Sequence, residues 1–181
     1  MPSVSAVCVV HELRSDAGYF GVTAIDKRPV AGKVKVTKYG LRGDVQADRK
    51  HHGGIDQALY AYSQEDADYW SEQLGRELPS GWFGENLRIE GIGVNSARVG
   101  EVWRIGETVL VEVTLARTPC GTFARWVGGE HERGWVKRFF DEGRLGTYLK
   151  VLRTGTIAPG DPVTIVSVPE GAPRVVTTAF L

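Results

Sequence analysis

Glycine stands at 23 of the 181 positions, placed so that only short apolar runs lie between them. That spacing constrains the fold more than any other feature, because frequent tight connections between short β-branched or aromatic runs describe strands of a barrel or sandwich. Strands are expected at 4–10, 33–37, 59–62, 86–89, 101–105, 109–113, 148–152 and 163–168. Helices are expected in fewer places. Ser63 can cap a run from Gln64 to Leu74, with Asp66 at the capping-box position and Gly75 closing it. A second helix is expected from Glu132 to Asp141, and the residues after Cys120 can begin another. The expected fold is therefore mainly β, a barrel with a few short helices that a classification can also place as α+β. With 42% apolar residues the chain can bury one continuous core, and its length suits one domain over 1–181. After Pro169 the chain reads as leaving the core, with Val175 to Leu181 as a last edge strand.

Charge and cysteine usage exclude several function classes. Lys plus Arg and Asp plus Glu number 22 each, so no net field gathers nucleic acid or an anionic membrane, and any anion must be held by local arrangement. The apolar run from Ala6 to Val10 is shorter than a secretory core and leads straight into charges, and no stretch reaches membrane-spanning length. Cys8 and Cys120 stand far apart in different contexts, so reduced thiols in a cytoplasmic protein are expected rather than a disulfide. Cys8 alternates with valines and reads as core.

The densest chemistry lies in three segments. In Arg117-Thr118-Pro119-Cys120, the proline holds Thr118 extended and puts Cys120 at a helix N-terminus, within reach of the guanidinium of Arg117 and of Arg125. Both influences favour a thiolate, which is a nucleophile and a soft metal ligand. A small buried residue at a strand-to-helix corner is the structural alternative. Between Thr37 and Leu59 runs a long polar loop that carries Asp44, His51, His52, Gly53, Gly54 and Asp56. Its glycines can offer backbone N–H groups to an anion, and His52 can donate to a phosphate or oxo group. A turn-rich surface loop explains the same residues, and a zinc site from His51, His52, Asp44 and Asp56 lacks any recognised spacing. In Trp82-Phe83-Gly84-Glu85-Asn86, Glu85 suits a structural role, and Asn86 can order the loop or touch a ligand. Lys27-Arg28 suits either phosphate or solvent, and the Arg144 turn reads as structural.

Taken in order, Lys27-x-Pro29-Val30, Gly43-Asp44-x-Gln46-Ala47-Asp48, His52-Gly53-Gly54-x-Asp56, Phe83-Gly84-Glu85-Asn86, Arg117-x-Pro119-Cys120, Gly143-Arg144-x-Gly146-x-Tyr148 and Gly160-Asp161 resemble the MOSC domain. This is the C-terminal domain of molybdenum-cofactor sulfurases, and the likeness runs from about Lys27 to Val168, in particular to the stand-alone bacterial YiiM branch. Ala116, Gln57 and Gly121-Thr122 depart from the family pattern in ways that set the charge of the pocket and hence the substrate. The chain is also expected to stop short of the three-helix extension of longer members.

The resemblance implies a β-barrel that binds a molybdenum cofactor (molybdopterin) and reduces N-hydroxylated bases, amidoximes or hydroxylamines. It makes Cys120 the ligand to molybdenum. Lys27 and Arg117, with Thr118 beside it, become candidates for the pterin phosphate, and Gly53, Gly54 and Asn86 for further cofactor contacts. His52 or Asp44 can then relay the proton released into water. No flavin or iron–sulfur motif is visible, so electrons are expected from a separate reductase. Two rivals remain open: a sulfur carrier holding a Cys120 persulfide, and a binding module for an anionic small molecule in which Cys120 is only structural.

Overall fold

The structure is a computed structural model, described here for residues 1–19, 21–46, 53–129 and 134–176. It is mostly sheet, with 36% of the described residues in strands and 21% in helices, as the glycine spacing predicts. The strands are β1 (Ser3–Val10), β2 (Arg14–Ser15), β3 (Val22–Thr23), β4 (Lys27–Pro29), β5 (Val34–Thr37), β6 (Gly40–Leu41) and β7 (Leu59–Ser63). They continue with β8 (Leu87–Glu90), β9 (Val102–Ile105), β10 (Val109–Ala116), β11 (Thr147–Arg153), β12 (Gly155–Ile157) and β13 (Val163–Ser167). The helices are α1 (Gln64–Leu74), α2 (Gly121–Gly128) and α3 (Trp135–Glu142).

Eight strands form one sheet in the order β13-β9-β10-β11-β7-β8-β1-β4, antiparallel except for the β7–β8 pair. The sheet curls so that its two ends approach each other. Val4 donates to the Asp161 carbonyl, Gly160 donates to the Val4 carbonyl and Val163 donates to the Pro2 carbonyl, which brings the entrance of β13 against the start of β1. The ladder does not close as a continuous barrel among the described strands; one bridge, Ser3 to Pro162, joins the ends. The Gly160-Asp161 motif is thus a seam.

Helix α1 has the ends its sequence signals. The Ser63 hydroxyl accepts from the Asp66 N–H at 3.1 Å and Gly75 closes the helix with φ 61°. Helix α3 runs from Trp135 to Glu142 after Gly134; the expected start at Glu132 lies outside the described residues. Val175 and Val176 lie in a tight helical turn, not a strand, and the remainder of the expected edge strand, 177–181, lies outside the described residues. Val175 donates to the Ala97 carbonyl and is fully buried, so the chain after Pro169 returns to the core.

All three helices bring aromatic rings to one cluster on the sheet. Trp70 from α1, Phe123 from α2, and Trp135 and Phe139 from α3 meet Tyr62 of β7 and Phe83, with Tyr62 and Phe83 stacked at 4.1 Å and the rings of Phe123 and Phe139 tilted against each other at 4.6 Å. Each buried ring contributes about 1.5–3 kcal/mol by leaving water, and ring pairs about 0.5–1.5 kcal/mol more. This cluster is the floor on which the site stands. No helix among the described residues is long and apolar enough to cross a membrane.

Candidate functional site

Strand β10 ends at Ala116, and the next four residues turn its direction into α2. Cys120 occupies the position before the helix with extended backbone (φ −129°, ψ 175°), and its side chain makes no capping bond, which leaves the sulfur half-buried beside a cavity. That cavity has a volume of about 380 Å³, within the range of small-molecule sites. Its wall includes Cys120, Arg117, Thr118, Lys27, Asp44 and Asn86, so six residues singled out from separate stretches of sequence meet in one place. Gly53 and Gly54 are not on that wall. The Gly54 N–H donates instead to the side-chain carbonyl of Gln46 at 3.0 Å. His52, with His51, lies outside the described residues.

Arg117 is buried, with only 7% of its surface exposed. Its guanidinium donates to the Phe83 carbonyl at 2.5 Å and lies over the rings of Phe123 (4.4 Å) and Tyr60 (4.9 Å). No carboxylate among the described residues neutralises it. The carbonyl is held in place by Glu85, which is fully buried and accepts from the N–H groups of Gly81 (2.7 Å) and Phe83 (3.0 Å) and from the Arg88 guanidinium (2.9 and 2.5 Å). Gly81 is required there. At φ 90° a Cβ would stand 2.2 Å from the Lys27 carbonyl oxygen, so any side chain would push this loop off β4.

Lys27 and Asp44 were separate candidates, for a phosphate and for a proton relay, and the structure pairs them. The Lys27 ammonium donates to both Asp44 oxygens at 2.5 Å, with about nine-tenths of each side chain buried. Asp44 accepts further bonds from the Val10 N–H (2.9 Å) and the Asn86 amide (2.8 Å). Asn86 also receives the Tyr60 N–H at 3.1 Å and donates to the Cys8 carbonyl at 3.3 Å. These three side chains form a charge-balanced knot that ties the polar loop to β1, β4 and β7.

The residues that sequence reasoning missed come from the hairpin of β2 and β3, which forms one side of the cavity with Asp16, Gly18, Tyr19 and Val22. Asp16 accepts two bonds from Arg125 (2.8 and 2.9 Å), one from the Thr122 hydroxyl (2.8 Å) and one from the Gly18 N–H (3.0 Å). The Arg125 bonds lead in holding its carboxyl down at about 2. Arg125, expected near Cys120, is therefore charge-balanced by Asp16. A Cβ at Gly121 would come within 3.0 Å of its guanidinium. Tyr60 and Tyr148 were missed as well. Both are raised above the ordinary tyrosine range, first by burial, with the Arg117 charge opposing it. Cys8, by contrast, is fully buried, and its thiol is pushed up to about 12 by burial and by Glu85. Among the described residues no three His, Cys, Asp or Glu side chains could hold a metal ion, so they offer a metal one sulfur and no protein cage.

Comparison with known proteins gives the family of the chain. The model of the MOSC domain matches residues 48–164, more than half of the chain. The chain belongs to the MOSC family. It is 35% identical to the uncharacterized protein YflK of Bacillus subtilis (strain 168) over 80% of this chain and 64% of that protein. It is 29% identical to a protein named "Reductase" from Gibberella moniliformis over 81% of this chain but 26% of that one. The crystal structure of YiiM from Geobacillus stearothermophilus superposes with a TM-score of 0.77 at 28% identity, covering 99% of this chain and 82% of that one. The chain thus spans less than two thirds of the length of YflK. Cys120 and Arg117 both fall inside the matched MOSC segment; Lys27 and Asp44 precede it.

Proposed function

We propose that the cavity binds a molybdenum cofactor, with the Cys120 sulfur as a ligand to molybdenum and Arg117 holding the anionic pterin tail, and that the chain reduces N-hydroxylated compounds there. One observation carries the reading: an accessible thiol shares a wall with a buried guanidinium that no carboxylate among the described residues neutralises. A buried cation is costly when left without a counter-charge, and an incoming phosphate supplies one in the geometry that a guanidinium fork matches. A cysteine sulfur is a soft ligand of the kind molybdenum accepts beside dithiolene sulfur. The residues present fit that group: the fork for a phosphate, the thiol for the metal, and Val22, Ile25 and Val45 along the wall for a flat heterocycle.

When bound, the cofactor supplies the electron pair that cleavage of an N–O bond consumes. The chain holds it, orients it and shields it; the knot of Lys27, Asp44 and Asn86 keeps the polar loop from collapsing into the space. Electrons come from a separate flavin or iron–sulfur reductase. The name of the fungal relative agrees with a reductive role.

The test is elemental. Protein from a host with intact molybdenum-cofactor synthesis carries stoichiometric molybdenum, reduces benzamidoxime with reduced methyl viologen, and loses both in Cys120→Ser. Cyanolysable sulfur without molybdenum would instead make the chain a sulfur carrier, and neither metal nor labile sulfur would leave a binding module.

A further inference from the structure

Besides Tyr19 on the hairpin, three tyrosines of the sheet stand at or behind the cavity, and two of these have committed hydroxyls. Tyr60 donates to the Leu145 carbonyl at 2.7 Å and Tyr62 to the Arg144 carbonyl at 2.8 Å. Tyr148 differs. It lines the cavity, and its hydroxyl finds no hydrogen-bond partner among the described residues and is not sealed from solvent. Tyr148, Arg117 and Cys120 share the wall of this cavity.

The placement is rigid. Tyr148 sits in β11 between β10 and β7, opposite Leu115 on one side and Tyr60 on the other, with its ring 5.4 Å from that of Tyr60. The Thr114 hydroxyl donates to its backbone carbonyl at 3.0 Å. Lys27, Asp44 and Asn86 are taken by one another and Thr122 by Asp16, while Gln57, whose side-chain carbonyl is buried on the same wall without a partner among the described residues, carries an amide that has no acidic proton to release. Thr118 is exposed.

We propose that Tyr148 hydrogen-bonds the N-bound oxygen of the substrate and delivers the proton with which that oxygen leaves as water. The assignment rests on the function proposed above. The N–O bond breaks and an O–H bond forms. The electron pair comes from the reduced cofactor, the leaving hydroxyl takes the Tyr148 proton, and the nitrogen takes a second proton from solvent through the cavity mouth. Arg117 stabilises the phenolate until solvent reprotonates it.

Tyr148→Phe in cofactor-loaded protein tests it. Molybdenum per chain and the thermal midpoint stay at the wild-type value. With benzamidoxime and reduced methyl viologen, kcat falls about 100-fold while KM moves little, the size expected for loss of a positioned proton donor. The residual rate of the variant rises with the concentration of imidazolium buffer at fixed pH, and the wild-type rate does not. A variant kcat within threefold of wild type, a loss matched by lost molybdenum, or no buffer dependence would overturn the Tyr148 assignment and leave the reductase reading standing. Wild-type protein that carries full molybdenum and reduces no N-hydroxylated compound would overturn both.

Discussion

Arg117→Met separates a binding role from a structural one, because the two predict opposite results. Methionine keeps the length and the contact with Phe123 and Tyr60 but removes the charge. Relieving a buried, uncompensated cation is worth several kcal/mol in its own right. Against this stands the Phe83 carbonyl, which loses the donor seen at 2.5 Å; an acceptor left unsatisfied costs about 1–3 kcal/mol, and the two cation–π contacts add about 1–2 kcal/mol. The opposing effects nearly cancel, so the cofactor-free variant should unfold in urea within about 2 kcal/mol of wild type. Binding has no such compensation. One charge-assisted contact to a phosphate is worth about 1.5–3 kcal/mol, so inorganic phosphate should bind the variant roughly 10- to 150-fold more weakly by calorimetry. Molybdenum per chain should fall with it. A variant that loses about 4 kcal/mol or more of stability, or one that binds phosphate as wild type does, would make Arg117 a structural prop and refute the reasoning.

Further predictions concern the clasp, the thiols and the loops. Asp16→Asn should free the hairpin of β2 and β3 and destabilise the chain by about 1–2 kcal/mol at neutral pH, discounted because Arg125 is 46% exposed. Its carboxyl is held down, so the contribution is present above the ordinary carboxylate value near 3.8 and is lost as pH falls toward about 2; acid titration of wild type against the variant should show the difference vanishing there. Iodoacetamide should alkylate Cys120 in the folded, cofactor-free protein and leave Cys8 unmodified, read by mass spectrometry. Glu85→Gln should lose about 3–5 kcal/mol in urea unfolding, since it leaves Arg88 buried without its counter-charge; a loss under about 1 kcal/mol would contradict the burial. Gly146→Ala should destabilise by more than about 2 kcal/mol, because at φ 69° its Cβ would meet the Ala61 carbonyl oxygen at 2.5 Å and the rings of Tyr60 and Tyr62 at 2.8 Å.

Local signals were legible where a residue type has one physical reason to stand where it does. Ser63 and Gly75 mark both ends of α1, and the valine-rich runs mark the long strands within a residue or two, except β10, which runs three residues past its expected end to Ala116. The Cys120 turn was legible because Pro119 extends the chain just before a helix can begin. Two-residue strands such as β2 and β3 are too short to show any alternation, so the hairpin beside the cavity left no trace. The Asp16 to Arg125 clasp spans 109 positions, and the Lys27 to Asp44 pair joins residues each read alone as ligand-facing. Composition carries no term for such pairings; only the curl of the sheet creates them. Tyr148 was visible as part of a motif, yet the freedom of its hydroxyl depends on which partners Tyr60 and Tyr62 find, which is a property of the packed core.

The claim on which the account turns is that sulfur from Cys120 reaches the metal, and X-ray absorption at the molybdenum edge reads this directly. Cofactor-loaded wild type should show one thiolate scatterer beyond the dithiolene pair, missing from whatever metal Cys120→Ser retains. Identical sulfur shells in the two proteins would contradict it.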